Sequence, residues 1–187
     1  MNRECAERII SEAQQLNNGG WIEHSYNVAR LAEKIAEKSG MDSEKAYILG
    51  LLHDIGRRNG DMQARHALEG YNYLTSIGFE DGARICLTHT FQYKNVDAIY
   101  DNWDCTEEEK KFIENYLNTI TYDDYDKLIQ LCDALSLANS YCYAEKKMVN
   151  SVLKFGFKDT TIDKWKAILQ LKEYFDNKIY GDIYLLF

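Results

Sequence analysis

The chain of 187 residues contains no proline, and its apolar residues recur mainly at helical spacing. Proline is the residue that removes a helix hydrogen bond and clashes with the preceding turn, so glycine and polar turns are left to do the cutting. The expected class is all-α. The spacing predicts a helix over about 22–38 that stops at Gly40. A second, capped by Ser43, carries Ala46, Leu49, Gly50 and His53 on one side and ends near Gly56. A third runs over about 62–77 to Gly78, and a short fourth over about 80–89. From Thr90 to Cys105 the periodicity is weak, and Asn95, Asp97, Asp101 and Asn102 mark a long surface loop of a length often used as a lid. Thr106 with Glu109 forms a capping-box start for a helix through about residue 120. After the acidic turn 122–126, a strongly apolar helix over 127–145 belongs at the centre of the bundle. Beyond Phe155-Gly156-Phe157, a last amphipathic helix of about 160–178 presents Trp165, Ile168, Leu171 and Phe175 to the rest. No repeat or linker divides the chain. It reads as one domain over 1–187, with a core of about 20–145 and a C-terminal helical extension of about 155–187.

Charge narrows the partners. With 30 acidic against 22 Lys and Arg, the net charge is −8, and no polybasic run offers a surface for duplex nucleic acid or anionic lipid. A small anionic ligand needs local cations or metal ions to offset that field. No segment approaches the about 18 uninterrupted apolar residues of a membrane span, and Met1 to Ile10 carries charges where a signal peptide is apolar, so the expected location is cytoplasmic. The five cysteines (Cys5, Cys86, Cys105, Cys132, Cys142) are odd in number and widely spaced, without a C-x-x-C pair. They read as free, mostly buried thiols.

The chain has four histidines, His24, His53, His66 and His89, each on the apolar stripe of a different expected helix. A lone inward histidine is ordinarily a hydrogen-bonded core residue. Two aspartates share the setting: Asp133, on one face with Ile129 and Leu137, and Asp54, embedded in Leu51-Leu52-His53-Asp54-Ile55-Gly56. An ionised carboxylate buried alone costs several kcal/mol, so both require compensation. Neutral imidazole and carboxylate drawn from several helices of a bundle suit Zn, Fe, Mn and related ions.

His24, the doublet His53-Asp54 followed by Ile55-Gly56, and Asp133 together resemble the H…HD…D pattern of the HD-domain metal-dependent phosphohydrolases, over residues about 20–140. His66, in Arg65-His66-Ala67-Leu68-Glu69-Gly70, and His89, in Ile85-Cys86-Leu87-Thr88-His89, resemble the two additional histidines of dinuclear members. The resemblance implies an all-α HD-domain helical bundle. It also implies one or two divalent ions (Fe, Mn, Zn, Ni, Co or Mg), the first held by His24, His53, Asp54 and Asp133, the second by bridging Asp54 with His66 and His89. The implied activity is cleavage of a phosphoester or phosphoanhydride of a small metabolite, a nucleotide or dinucleotide, by a metal-activated hydroxide, with Asp54, His53 and Arg57 catalytic. Where many relatives have Lys after Ile-Gly, this chain has Arg57, a planar fork rather than a point charge. Arg57, Arg58, Arg65 and Lys94 are the expected phosphate-binding cations.

Within the resemblance, the hexad is similar to that of enzymes that split diadenosine tetraphosphate and to cyclic-dinucleotide phosphodiesterases, although the Gly-Tyr-Pro segment of the HD-GYP group is missing from a chain without proline. Two other readings stay open: a mixed-valent di-iron oxygenase of the same fold, and a metal-stabilised binding or regulatory domain without turnover. Tyr26, Tyr93, Tyr141 and Tyr143 are candidates to stack on a base, though packing is the commoner role in a chain with 14 tyrosines. The tail Ile183-Tyr184-Leu185-Leu186-Phe187 and the aromatic-rich last helix can seal a homodimer as readily as cover the core.

Overall fold

A helix that the reading above does not include opens the chain. In the computed structural model, which describes residues 1–100 and 102–187, α1 (Arg3–Leu16) starts at Asn2, whose side chain accepts from the Cys5 backbone N–H. Its buried stripe of Ala6, Ile9, Ile10 and Ala13 is narrow and flanked by Glu4, Glu7, Arg8 and Glu12, which mask it in the sequence. There follow α2 (Gly20–Lys38), α3 (Ser43–Leu52), a 3-10 turn (Ile55–Asn59), α4 (Arg65–Ser76) and α5 (Glu80–Thr88). After a short 3-10 turn (Val96–Ala98) come α6 (Glu107–Thr119), α7 (Asp124–Leu135), α8 (Ala144–Phe155), α9 (Thr161–Ile179) and a final 3-10 turn (Ile183–Leu186). The fold is all-α; among the described residues the only β pairing is an isolated bridge between Ser136 and Tyr141. No helix among them is long and apolar enough to cross a membrane.

Three local expectations are corrected. Asp42, not Ser43, caps α3, its carboxylate accepting from the Lys45 N–H at 3.0 Å. The single helix expected over 127–145 is two. Ser136 is extended, the Leu137 N–H bonds the Ser140 carbonyl at 2.8 Å, and the Cys142 N–H returns to Leu135 at 2.9 Å. Ala138-Asn139-Ser140 supplies turn-forming residues that the flanking apolar run conceals. The stretch 90–105 is irregular apart from its 3-10 turn, as a loop is, but among its described residues it is not confined to the surface: Phe91, Val96, Ala98 and Ile99 are buried, and Phe91, Val96 and Ile99 pack with Leu87, Ile113 and Leu117 in a satellite core. Of the polar residues that suggested a loop there, Asp101 lies outside the described residues.

The central core joins α2, α3 and α7 through Val28, Leu31, Ile35, Leu49, Ile129 and Leu135. Ile168 and Phe175 of α9, with Ile183 of the last turn, belong to the same cluster. The C-terminal helices therefore close over the bundle rather than hang beside it. Close approach of α3 to α2 depends on Gly50, where a Cβ would come within 2.9 Å of Ala29 Cα. A buried ion pair ties α5 to α7. Asp126 is fully buried, takes Arg84 Nη2 at 2.5 Å and Nε at 3.0 Å, and accepts the Thr88 hydroxyl at 2.8 Å.

Candidate metal centre

Five segments deliver the six candidate residues to one place. His24 lies in the second turn of α2; His53, its backbone still helical, caps the end of α3, and Asp54 precedes the 3-10 turn that follows. His66 sits in the first turn of α4, His89 closes α5, and Asp133 lies in the last turn of α7. Gly56 is what lets the 3-10 turn meet α4: a Cβ there would lie 2.0 Å from the His66 carbonyl oxygen and 2.5 Å from Gly70 N. No side chain larger than hydrogen fits, so the Ile-Gly after His53-Asp54 places His66 against Asp54.

The imidazoles are oriented by the backbone. His53 Nδ1 donates to the Gly50 carbonyl at 2.7 Å, His66 Nδ1 to Gln63, and His89 Nδ1 to Cys86 at 2.9 Å. A carbonyl only accepts, so each Nδ1 carries the proton and each Nε2 is turned toward the centre with its lone pair, the tautomer that metal-binding histidines adopt. His66 Nε2 and His89 Nε2 lie 3.1 and 3.5 Å from Asp54 Oδ1 and 3.2 Å from each other. His53 Nε2 is buried, has no hydrogen-bond partner among the described residues, and stands 3.9 Å from Asp54 Oδ2. Lone pairs facing one another in a buried space repel unless a cation joins them.

Among the described residues, two groups have donor atoms within 4.8 Å of one another: His24, His53 and Asp54, and then Asp54, His66 and His89. Asp54 is common to both. Asp133 reaches the first group through His24, whose Nε2 is 3.1 Å from Asp133 Oδ1. The donor set fits a divalent cation by type and convergence.

Electrostatics agree. Burial by itself would raise the Asp54 carboxyl, but Arg57, then His66 and His53, outweigh it and hold Asp54 well below the ordinary carboxylate range. Asp133 is treated alike: burial opposes ionisation, and Lys147 and His24 overcome it. Burial lowers His53 to about 3, so its imidazole is neutral at physiological pH and able to ligate.

A cleft of about 400 Å³ opens on this centre, and His24, Asp54, His66, His89 and Asp133 are in its wall. Of the four expected phosphate-binding cations, Arg57 lines it; its Nε donates to Asp54 Oδ2 at 2.8 Å and its Nη1 to the Met62 carbonyl at 2.9 Å. The other three are placed elsewhere. Arg58 stacks on Tyr73 at 4.0 Å, Arg65 forms a two-pronged pair with Glu109 and also bonds the Asp104 carbonyl, and Lys94 bonds the Ile120 carbonyl and lies over Tyr122. None of Tyr26, Tyr93, Tyr141 and Tyr143 is in the wall, whereas Tyr100 is.

Sequence reasoning passed over Lys147 and Lys164, which both line the cleft. Lys147 donates to Asp133 Oδ1 at 3.1 Å and to the Ser136 carbonyl at 3.2 Å. Lys164 is buried and donates to the carbonyls of Thr90 at 3.0 Å and Ala98 at 3.1 Å. Lys147 carries no motif, but a lysine on the apolar stripe that holds Ile168 is a signal that could have found Lys164.

Among proteins of known function, the chain is 28% identical over 124 residues to ribonuclease Y of Mycoplasmoides gallisepticum, covering 65% of this chain and 19% of that protein. Ribonuclease Y of Opitutus terrae is 39% identical over 62 residues, 33% of this chain and 12% of that one. The chain thus spans under a fifth of the length of these curated relatives. No solved structure matches it. The family model of the HD domain matches residues 21–138, from the start of α2 to just beyond α7. That span is more than half of the chain and contains all six converging side chains, so the protein belongs to the HD domain family, whose members are mostly metal-dependent hydrolases.

Proposed function

We propose that the protein is a metal-dependent phosphohydrolase acting on a small phosphorylated metabolite of the nucleotide or dinucleotide class. The observation that carries the reading is the Asp54 carboxylate with three backbone-anchored imidazoles turned toward it at the wall of an open cleft. A divalent cation held by His24, His53, Asp54 and Asp133, and a second on Asp54, His66 and His89, would supply Lewis acidity toward phosphoryl oxygens and a nucleophilic water near neutral pH.

The chain's own groups do the rest. Arg57, fixed at both ends by Asp54 and Met62, holds a guanidinium where charge accumulates on the transferred phosphoryl group. Lys147 and Lys164 add ammonium charge to the wall. Arg57 and Lys147 offset Asp54 and Asp133, so Lys164 together with the bound cations would give the −8 chain a local positive site for an anionic substrate. The adjoining cleft favours turnover over a purely structural metal.

The test is release of phosphate or a nucleoside phosphate from a metabolite panel by protein reconstituted with Mn, Fe, Co or Ni. Asp54→Ala should lower the rate at least a thousandfold and abolish metal binding by calorimetry. Because the named relatives are ribonucleases, single-stranded RNA belongs on the panel. A panel silent with every metal would remove the hydrolase reading, and substrate-dependent O₂ consumption by iron-loaded protein would replace it with oxygenase chemistry.

A further inference from the structure

The cleft is larger than a phosphoryl group and its metals need, and half of its remaining wall is built by α8 and α9, beyond the family match. Along α8, Lys147, Ser151 and Phe155 occupy positions i, i+4 and i+8 of one face, and all three line the cleft. At 1.5 Å per residue the face runs about 12 Å outward from the residue that touches Asp133. Ile99, Tyr100, Met148, Phe155 and Ile168 make the wall along it apolar. Tyr100 is held rigid there: its ring stacks on Phe155 with centroids 6.3 Å apart and planes 20° apart, and its hydroxyl accepts from Trp165 Nε1 at 2.8 Å.

Two polar groups punctuate this surface. Thr90 and Gln92 both line the cleft, and Thr90 Oγ1 and Gln92 Oε1 are buried atoms without a hydrogen-bond partner among the described residues. The Gln92 amide cannot flip to relieve this. Its Nε2 donates to the His89 carbonyl at 2.9 Å, which only accepts, so Oε1 is left as a fixed acceptor. Buried polar atoms of this kind call for a partner, an ordered water or a ligand, and these two belong to residues of the cleft wall.

We infer that this end of the cleft is a nucleobase subsite, the flat apolar face of the base lying on the wall around Tyr100 and Phe155 and an exocyclic amine or ring N–H donating to Gln92. A planar ring whose hydrogen-bonding groups lie at its edge matches an apolar wall with a fixed acceptor beside it better than a sugar, whose ring is surrounded by hydroxyls that the apolar wall would leave without partners. The volume of about 400 Å³ lies at the small end of the roughly 300–1,000 Å³ of small-molecule sites, so the ligand is a single nucleotide or the end of a dinucleotide. The inference deepens the phosphohydrolase reading and rests on it for the phosphate, though the base contacts can be measured without it.

Nucleosides carry no phosphate to hydrolyse, which separates the two. Binding of adenosine, guanosine, cytidine, uridine and ribose to the full chain should be measured by calorimetry or by NMR shifts, with and without Mn²⁺. At least one nucleoside bearing an amine should bind tenfold or more tightly than ribose, with or without the metal. Gln92→Leu and Phe155→Ala should each reduce that preference at least fivefold in protein whose circular dichroism is unchanged. Equal binding of nucleosides and ribose, or a preference untouched by both substitutions, overturns the subsite. An RNA decamer binding a hundredfold more tightly than any nucleotide overturns the size limit. If nucleosides bind as expected while the metabolite panel stays silent, the hydrolase reading fails and the subsite stands.

Discussion

His53 shows how much one buried side chain can dictate. Its Nδ1–H is committed to Gly50, its Nε2 has no hydrogen-bond partner among the described residues, and burial lowers its pKa from about 6.5 to about 3. In metal-free protein the unfolded chain therefore binds a proton that the folded chain refuses. Its contribution to stability is complete above about pH 6.5 and is lost progressively as pH falls toward about 3, with a limiting slope of about 1.4 kcal/mol per pH unit. Asp54 and Asp133 are held below their ordinary range, so their contributions decline only below about pH 4. Urea denaturation of chelator-treated protein at pH 7.5 and 5 should show the loss, and His53→Asn should flatten that part of the profile. At this scale the convergence of candidate donors was legible, because four histidines and two aspartates in apolar stripes stand out against their neighbours. The cations were not: whether Arg65 meets a substrate or Glu109 depends on where a distant helix lies.

Elements carry the site through their ends. His53, His89 and Asp133 all occupy the last turn or closing residue of a helix, so the centre is set by how α3, α5 and α7 are docked. The fully buried Asp126, bonded to Arg84 and Thr88, fixes α5 against α7 one residue from His89. Removing one partner of a buried pair strands the other, so Asp126→Ala should lower stability by about 3–5 kcal/mol in urea denaturation. Gly56→Ala should act on the centre itself. The added methyl meets the His66 carbonyl and must push α4 away, costing about 1–3 kcal/mol and weakening metal affinity at least tenfold by calorimetry. Helices with a clean stripe or cap, such as α6 with its Thr106-Glu109 box, were readable. α1 was hidden by its charges, and the break between α7 and α8 by apolar residues on both sides. The segment after His89 misled because its polar residues alternate with Phe91, Val96 and Ile99, which are buried only by a tertiary partner, α6.

On the scale of the molecule, the helices that complete the cleft lie in the same core as those that hold the ligands. Phe175 and Ile168 of α9 pack with Val28 and Leu49, so heat or urea should unfold the chain in one transition, with near- and far-ultraviolet circular dichroism coinciding. Both carboxylates of the centre already hold a positive side chain of their own, Asp54 the guanidinium of Arg57 and Asp133 the ammonium of Lys147. These cations act as ballast. Stripping the ion with a chelator leaves neither negative charge stranded, so the stripped protein should keep its helical signal and regain full occupancy on adding metal back, with no denature-and-refold cycle.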